Sequence, residues 1–270
     1  MDSLGIWCTD MSQAYGELAP FYDSFMEETP YDDWARFITG YLRERGIEDG
    51  LILDLGCGTG EMTGRLKVAG YDMTGVDCSG EMLSIAAQKD PDSLYLCQDM
   101  RELELYGTVR AAVSVCDCLN YILEEEDLLR IFSLVNNYLD AGGYFIFDLN
   151  TPFKYRELLG DNTFAFENED AVCIWDNCFD DESGINEYAL TLFIKNDEGL
   201  FVRKREEHYE RCYCLEKIKE LLQRAGMEFV EAFAGYDGSA IAPGETEGEC
   251  DRMVIVAREL PQRGKKYTDE

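Results

Sequence analysis

The sequence predicts an α/β protein: a doubly wound, mostly parallel sheet that carries a small antiparallel β insert. Extended and helical segments alternate through the first 150 residues. Parallel neighbours need crossover helices, so this alternation favours a parallel sheet covered by helices. After Asn150, residues 163–179 and 186–211 are rich in β-branched and aromatic residues around the turn Asn196-Asp197-Glu198-Gly199. That composition indicates antiparallel hairpins.

The individual elements follow from apolar periodicity and glycine stops. Two helices are predicted at 11–29 and 30–45, followed by a buried strand, LILDL, at 51–55. Further strands are predicted at YDMTGVD, LYLCQ, AAVSVC and YFIFDLN, and helices at 79–89 and 124–139. A helix at 214–225 and two strands, MEFVEAFAGY and RMVIVARE, close the fold.

Charge and hydropathy exclude several classes of protein. The 270 residues include 55 acidic and 24 basic ones, a formal net charge of −31. Nucleic-acid binding relies on Lys and Arg at phosphates, so we expect no nucleic-acid partner. No run of 18 apolar residues occurs, and MDSLGIWCTD at the start lacks the features of a signal peptide. We therefore expect a cytoplasmic protein with no membrane partner.

The 11 cysteines are typical of reduced thiols in a chain of this length rather than of a disulfide framework. Two C-x-C pairs, Cys116/Cys118 and Cys212/Cys214, raise the alternative of a metal site. Structural zinc sites use wider spacing, and a strand places residues i and i+2 on one face without a metal. The sequence therefore predicts no metal.

A glycine-rich loop carries the main functional signal. Residues 54–60 read Asp54-Leu55-Gly56-Cys57-Gly58-Thr59-Gly60, between an apolar strand and a helix. Glycines let the backbone turn sharply and let a ligand lie against main-chain atoms. Asp77 ends the next strand about 20 residues further on, the spacing of a carboxylate that accepts both ribose hydroxyls of an adenosine.

Other nucleotide-binding loops fit this segment less well. A nicotinamide-binding turn would need a small residue where Glu61 stands, and an acid there would repel a pyrophosphate. A P-loop would need Gly-Lys-Ser/Thr, which the loop lacks. A glycine turn that binds nothing is the remaining alternative, and the paired acid Asp77 argues against it.

The loop is the first of five motifs that resemble those of one family. LDLGCGTG at 53–60 and GVDCSGEML at 75–83 resemble the first two motifs of class I S-adenosylmethionine-dependent methyltransferases. CQDMREL at 97–103, SVCDCLNYI at 114–122 and AGGYFIFDLN at 141–150 resemble the next three, in the family's order. The resemblance implies a Rossmann-like sheet of seven strands whose last strand runs antiparallel, and S-adenosyl-L-methionine as cofactor.

The same resemblance implies the cofactor-binding residues. The methionine part would lie over Gly56 and Gly58, and the ribose on Asp77. The adenine would lie between Cys78 or Met82 and the Asp99-Met100 pair, with Asp99 oriented toward the exocyclic amine. The full expected set is Tyr15, Tyr22, Asp54, Gly56, Cys57, Gly58, Asp77, Cys78, Met82, Asp99, Met100 and Cys116.

The flanking segments resemble a small-molecule subgroup of that family. YGELAPFYD at 15–23 is similar to an N-terminal motif in which helices cap the cofactor and tyrosines approach it; Trp34 is a further candidate there, or an ordinary core aromatic. REEHYERCY at 205–213 resembles the last strand of a β insert shared with amino-sugar N-methyltransferases and glycine N-methyltransferase. We therefore divide the chain into cap helices with the cofactor-binding half (1–150), the insert (151–211), a C-terminal part (212–260) and a polar tail (261–270).

Methyl transfer is an in-line displacement, so the enzyme mostly supplies proximity and alignment. The fourth motif offers Asp117, Asn120 and Tyr121 as catalytic candidates, and His208 in the insert is either a base or a structural residue. A neutral amine needs no base, whereas an alcohol or phenol does. We expect methyl transfer to N or O of a small molecule in an enclosed pocket, by a monomer or homodimer. Methylation of a basic protein or peptide, or cofactor binding without catalysis, are the alternatives.

Overall fold

The computed structural model describes residues 18–196, 198–242 and 248–260. Its helices are α1 (Ala19–Phe25), α2 (Tyr31–Glu44), α3 (Glu61–Val68), α4 (Gly80–Lys89), α5 (Glu125–Tyr138) and α6 (Leu215–Arg224), with 3₁₀ turns at Met100–Glu102 and Cys118–Tyr121 and a π-helix at Lys154–Leu159. Its strands are β1 (Leu51–Leu55), β2 (Asp72–Asp77), β3 (Leu94–Cys97), β4 (Val109–Ser114), β5 (Leu139–Asn150), β6 (Thr163–Glu167), β7 (Ala171–Asp180), β8 (Ile185–Lys195), β9 (Phe201–Arg211), β10 (Met227–Ala234) and β11 (Arg252–Glu259).

Seven strands form the main sheet in the order β10-β11-β5-β4-β1-β2-β3. Strands β3, β2, β1, β4 and β5 pair in parallel, and β11 runs antiparallel between β5 and β10. The predicted seven-stranded, mostly parallel sheet with an antiparallel last strand is confirmed. The strand order reverses between β1 and β4, so the loops after these strands diverge and leave a crevice at the carboxyl edge, where open α/β sheets bind ligands.

Apolar side chains cover both faces of this sheet. Leu53 packs on the face covered by α5 and α6, together with Phe132 and Ile218. Its neighbour Ile52 packs on the face covered by α2, together with Ile38. Burial on both faces explains why the central strands are continuous apolar runs rather than alternating ones.

The insert forms a second, antiparallel sheet in the order β6-β7-β8-β9. Along β8 the residues Tyr188, Leu190 and Leu192 are buried at every second position, which is the signature of a strand with one covered face. The predicted antiparallel insert is confirmed. The sequence does not predict the π-helix at Lys154–Leu159, which buries Tyr155 and Leu159, four residues apart, against the insert.

The N-terminal helices differ from the prediction in extent. Helix α1 ends at Phe25, before the end of the helix predicted at 11–29, whereas α2 matches its predicted range closely. Residues 11–17, including Tyr15, and the tail 261–270 lie outside the described residues. Among the helices that the structure describes, none is long and apolar enough to cross a membrane.

Candidate functional site

The loop after β1 has left-handed backbone at all three of its glycines, Gly56, Gly58 and Gly60. Gly56 has φ +78° and Gly58 has φ +51°, values that residues with a Cβ rarely adopt. A Cβ at Gly56 would lie 2.7 Å from Cys118 Sγ, so this glycine is required by packing against the loop after β4. A Cβ at Gly58 would meet nothing within 4 Å, because Gly58 faces the cavity beyond the loop.

The carboxylate of Asp77 ties this loop to the end of β2. Asp77 Oδ2 accepts a hydrogen bond from Gly58 N at 2.9 Å, and Oδ1 accepts one from Ser79 N at 2.9 Å. Burial raises the pKa of Asp77. Each oxygen retains a lone pair, so the group can still accept hydroxyl hydrogen bonds from a ligand in the cavity.

Asp54 provides a second, fully buried acid at the same cavity. Its Oδ2 accepts from Thr63 Oγ1 at 2.5 Å, whereas Oδ1 is buried with no hydrogen-bond partner among the described residues. Burial raises the pKa of Asp54 to about 6, and the nearby charge of Asp77 contributes in the same direction. A buried carboxylate oxygen without a partner is costly unless a ligand supplies a donor. The cationic amino group of a methionine moiety fits this requirement.

The structure brings eleven of the twelve expected cofactor residues to this one cavity, and Tyr15 lies outside the described residues. The eleven are Tyr22, Asp54, Gly56, Cys57, Gly58, Asp77, Cys78, Met82, Asp99, Met100 and Cys116. Their individual roles stay predictions. Sequence reasoning missed Tyr31, Glu61 and Gln98, which also line the cavity.

Asp99 has a strong partner within the protein. Both of its oxygens accept hydrogen bonds from the Arg101 guanidinium, at distances of 2.5 to 3.0 Å. Its Oδ1 also accepts from Arg101 N at 2.8 Å, which caps the short 3₁₀ turn. The carboxylate is therefore held rigidly at the rim, and its contact with an adenine amine stays a prediction.

Helix α1 is fastened over the glycine loop. Thr59 Oγ1 donates to Asp23 Oδ1 at 2.6 Å, and Lys89 from α4 forms an ion pair with the same aspartate. This attachment places Tyr22 in the wall of the cavity. In the described part of the chain α1 therefore lies beside the glycine loop, and its role as a cap over the cofactor stays a prediction.

A second and larger cavity, of about 620 Å³, lies between the main sheet and the insert. The walls of the two cavities share Tyr22, Cys116 and Tyr121, so the cavities adjoin at these side chains. Asp117 and His208 line the second cavity. Of the predicted catalytic residues, three thus face a cavity at or next to this junction.

Asn120 is the exception among those candidates. It is fully buried; its Nδ2 donates to Arg211 O at 2.9 Å, and its Oδ1 accepts from Asn150 N at 3.0 Å. It lines neither cavity. The side chain joins the fourth motif to β5 and β9, which is a structural position rather than one facing a substrate.

Asp148, at the end of β5, holds the turn that presents Asp117. Cys116 and Asp117 both have left-handed backbone, with φ of 64° and 54°. Asp148 accepts hydrogen bonds from both of their backbone N–H groups, at 3.0 and 2.7 Å. Arg252 spans the two acids, 2.7 Å from Asp148 and 2.5 Å from Asp117. The strained turn is therefore fixed by a buried charge network.

Glu210 is a functional candidate that sequence reasoning missed. It is 1% exposed, lines the larger cavity, and its Oε2 accepts from Tyr155 Oη at 2.6 Å and Tyr188 Oη at 2.7 Å. Burial, and then the charge of Asp117, raises the pKa of Glu210 to about 8. The available signal was strand alternation, since Glu210 is two residues after His208 and shares its face.

His208 is also buried, and its Nε2 lies 3.1 Å from Glu206 Oε2. Its ring meets Tyr121 edge to face, with centroids 6.0 Å apart. This histidine therefore supports the wall of the junction from the insert side. Its role as a base stays a prediction.

Comparison with known proteins agrees with this geometry. A family model described as a methyltransferase domain matches residues 52–143. YqeM of Bacillus subtilis (strain 168), which bears a provisional methyltransferase name, is 36% identical over 248 residues, covering 90% of this chain and 96% of that protein. The dTDP-3-amino-3,4,6-trideoxy-alpha-D-glucopyranose N,N-dimethyltransferase of Streptomyces venezuelae is 28% identical over 145 residues, covering 53% of this chain and 60% of that one.

A solved structure extends the similarity to the whole fold. The S-adenosylmethionine-dependent methyltransferase from Clostridium acetobutylicum ATCC 824 matches with a TM-score of 0.78 and 29% identity, covering 91% of this chain and 98% of that one. The similarity spans both the main sheet and the insert. With its glycine cradle, its paired acids at the ends of β1 and β2 and this full-length similarity, the chain belongs to the class I S-adenosylmethionine-dependent methyltransferases and uses S-adenosylmethionine as its cofactor.

Proposed function

We propose that the protein transfers a methyl group to a nitrogen or oxygen atom of a small molecule held in the larger cavity. The observation that carries this proposal is the junction of the two cavities at Tyr22, Cys116 and Tyr121. When bound, the cofactor supplies an electrophilic methyl group on a sulfonium. A donor in one cavity and an acceptor in the other would meet at that junction, and alignment of this kind is the main source of rate in such a displacement.

The size and walls of the larger cavity support a small acceptor. Its volume of about 620 Å³ lies in the range of small-molecule sites. Its walls come from α1, from the loop after β4, from the insert and from the segment around β11. The Streptomyces venezuelae relative is named for an amino-sugar nucleotide acceptor, which is a small molecule of suitable size.

Residues of the smaller cavity would hold the cofactor. Asp54 Oδ1 would accept from the amino group, and Asp77 would accept from the ribose hydroxyls while it keeps Gly58 in place. Tyr22, on α1, would exclude water from the junction. These assignments require no movement of the glycine loop, because Gly58 already faces open space.

The test is a search for the methylated product. The purified protein is incubated with S-adenosylmethionine labelled in its methyl group and with fractions of small metabolites, and labelled products are identified by mass spectrometry. We expect label in a small molecule, and much less label with Asp77→Asn at limiting cofactor. Label found only in protein or peptide fractions would contradict the proposal.

A further inference from the structure

A pair of buried carboxyl groups lies in the acceptor cavity, next to its junction with the cofactor cavity. Glu210 from β9 and Asp117 from the loop after β4 both line the cavity, and the charge of Asp117 contributes to the raised pKa of Glu210. Asp117 forms an ion pair with Arg252 at 2.5 Å, whereas the hydrogen bonds to Glu210 Oε2 come from the neutral groups Tyr155, Tyr188 and Asn150. The two acids therefore differ: one has a counter-ion and the other has none in direct contact among the described residues.

The charged groups around Glu210 leave it able to bind a proton. From the π-helix, Lys154 faces the cavity, but its Nζ donates to Asn150 Oδ1 at 2.8 Å. Arg252 is shared between Asp117 and Asp148. Besides the carboxyl pair, the cavity wall carries Glu28, Asp251 and His208. Acids outnumber cations in the wall, so the cavity favours a cationic ligand over a neutral or anionic one.

The remaining walls suit an organic cation that also carries oxygen. Trp34, Trp175 and Tyr188 present aromatic surface to the cavity, and aromatic faces attract ammonium groups. Trp175 Nε1 is buried, and no described residue accepts its hydrogen bond. An N–H donor in this position would be satisfied by an oxygen of the bound acceptor.

Given the proposed function, on which this inference rests, we propose that the acceptor is an amine bound in its ammonium form and that Glu210 takes the ammonium proton before methyl transfer. Asp117 is the positioning residue, because its charge makes Glu210 a stronger base. The N–H bond breaks and an O–H bond forms on Glu210. The freed nitrogen lone pair then forms the C–N bond while the methyl–sulfur bond breaks, and the electron pair of that bond stays on sulfur as a neutral thioether. The proton leaves Glu210 for solvent after release of the methylated ammonium product.

The acidity of Glu210 agrees with this step. Its pKa of about 8 lies near operating pH, where a general base is most effective. A carboxylate with an ordinary pKa would leave an aliphatic ammonium protonated and unreactive. An aliphatic alcohol is a far weaker acid than an ammonium, so the pair is better matched to nitrogen than to oxygen.

The first experiment compares methyl transfer to amines and to matched alcohols. The probes are amino sugars, free and nucleotide-linked, each paired with the sugar that carries a hydroxyl in place of the amino group. The variants are Glu210→Gln and, as control, Glu207→Gln, an exposed glutamate on the same strand. We expect methylation of the amines only and a rate that rises with pH through a midpoint near 8. Glu210→Gln should lower the rate on the order of 100-fold at neutral pH, with recovery above the pKa of the amine itself, and the control should match wild type.

The second experiment follows the proton without turnover. Infrared difference spectra of the complex with S-adenosylhomocysteine report protonated buried carboxyl groups. At pH 7 a band present in wild type and Glu207→Gln, and absent in Glu210→Gln, should disappear when an amine probe binds as its ammonium. The cation stabilises the carboxylate form of Glu210, whose proton leaves for solvent, and this carboxylate is the base that later takes the ammonium proton. The paired alcohol should leave it unchanged. Wild-type turnover retained in Glu210→Gln, or a band that no amine alters, would overturn the inference while the proposed function stands. Loss of the band with an amine, but no methylated small molecule of any class, would support the amine site and contradict the proposed function.

Discussion

Asp148 is the residue whose removal tests the architecture of the site most sharply. Its two carboxylate oxygens accept four hydrogen bonds: from the backbone N–H groups of Cys116 and Asp117, from Tyr236 Oη at 2.7 Å and from Arg252 at 2.7 Å. Each oxygen receives two of them. In Asp148→Asn an NH₂ group replaces one of the acceptor oxygens, so the two hydrogen-bond donors that bonded to that oxygen now face another donor. Arg252 also loses one of its two negatively charged partners.

The magnitude follows from those contacts. Hydrogen bonds to a charged acceptor contribute about 1.5–3 kcal/mol each, and breaking a buried charge pair costs about 3–5 kcal/mol. Because the same contacts contribute to both figures, we expect the free energy of unfolding to fall by about 3–5 kcal/mol rather than by their sum. Release of the left-handed turn at Cys116 and Asp117 should also reduce methyl transfer more than cofactor affinity.

Urea denaturation followed by circular dichroism measures the change, with Asp251→Asn as control. Asp251 is exposed and adjacent to Arg252, so its substitution changes the local charge equally without touching the network. The control should shift the free energy of unfolding by less than about 0.5 kcal/mol. A loss below about 1 kcal/mol in Asp148→Asn would refute the reasoning that this carboxylate holds the turn.

Three further predictions concern ligand binding, pH and charge. Asp77→Asn should weaken binding of S-adenosylhomocysteine about tenfold or more, because a charge-assisted acceptor is lost; calorimetry checks this, with Asp72→Asn at the exposed start of β2 as control. Between about pH 4.5 and about pH 8, folded Glu210 keeps a proton that the unfolded chain releases. Its contribution to the free energy of unfolding is therefore lost as pH rises through that range, and does not change further above pH 8. Urea denaturation at pH 5, 7 and 9 should show that the free energy of unfolding falls less with rising pH in Glu210→Gln than in wild type. An equal fall in both proteins would contradict this. Filter binding should find no salt-sensitive affinity for tRNA at micromolar concentration, as the net charge of −31 predicts.

The main sheet was predictable because its signals are local. LILDL and the strand of the fifth motif are mostly apolar runs buried on both faces, and the helices between the strands have a clear period. The glycine loop was predictable for a similar reason, since Gly58 needs positive φ and open space. For Gly56 the sequence predicts the turn but not the close packing, because the atom that excludes a Cβ there belongs to Cys118, far along the chain.

The acceptor side could not be derived in the same way. Glu210 meets Tyr155 and Tyr188 only because β8, β9 and the π-helix pack together. Strand alternation predicts which face of the insert sheet carries Glu210, but it does not predict which side chains contact Glu210 there. Asn120 shows the converse. Its place in a motif suggested chemistry, whereas its amide bonds to segments about 30 and 90 residues away and faces neither cavity.

The cofactor cradle is the basis of the whole account, and one titration tests it directly. Binding of S-adenosylhomocysteine is measured by calorimetry for wild type, Gly58→Ala and Gly70→Ala. Gly70 also has positive φ, +108°, and open space around it, but it lies in the turn before β2 and does not line the cavity. The account predicts binding by wild type and Gly70→Ala, at least tenfold weaker binding by Gly58→Ala, and no binding of NADH or ATP. Equal affinity in Gly58→Ala and Gly70→Ala, or binding of NADH or ATP in place of S-adenosylhomocysteine, would contradict it.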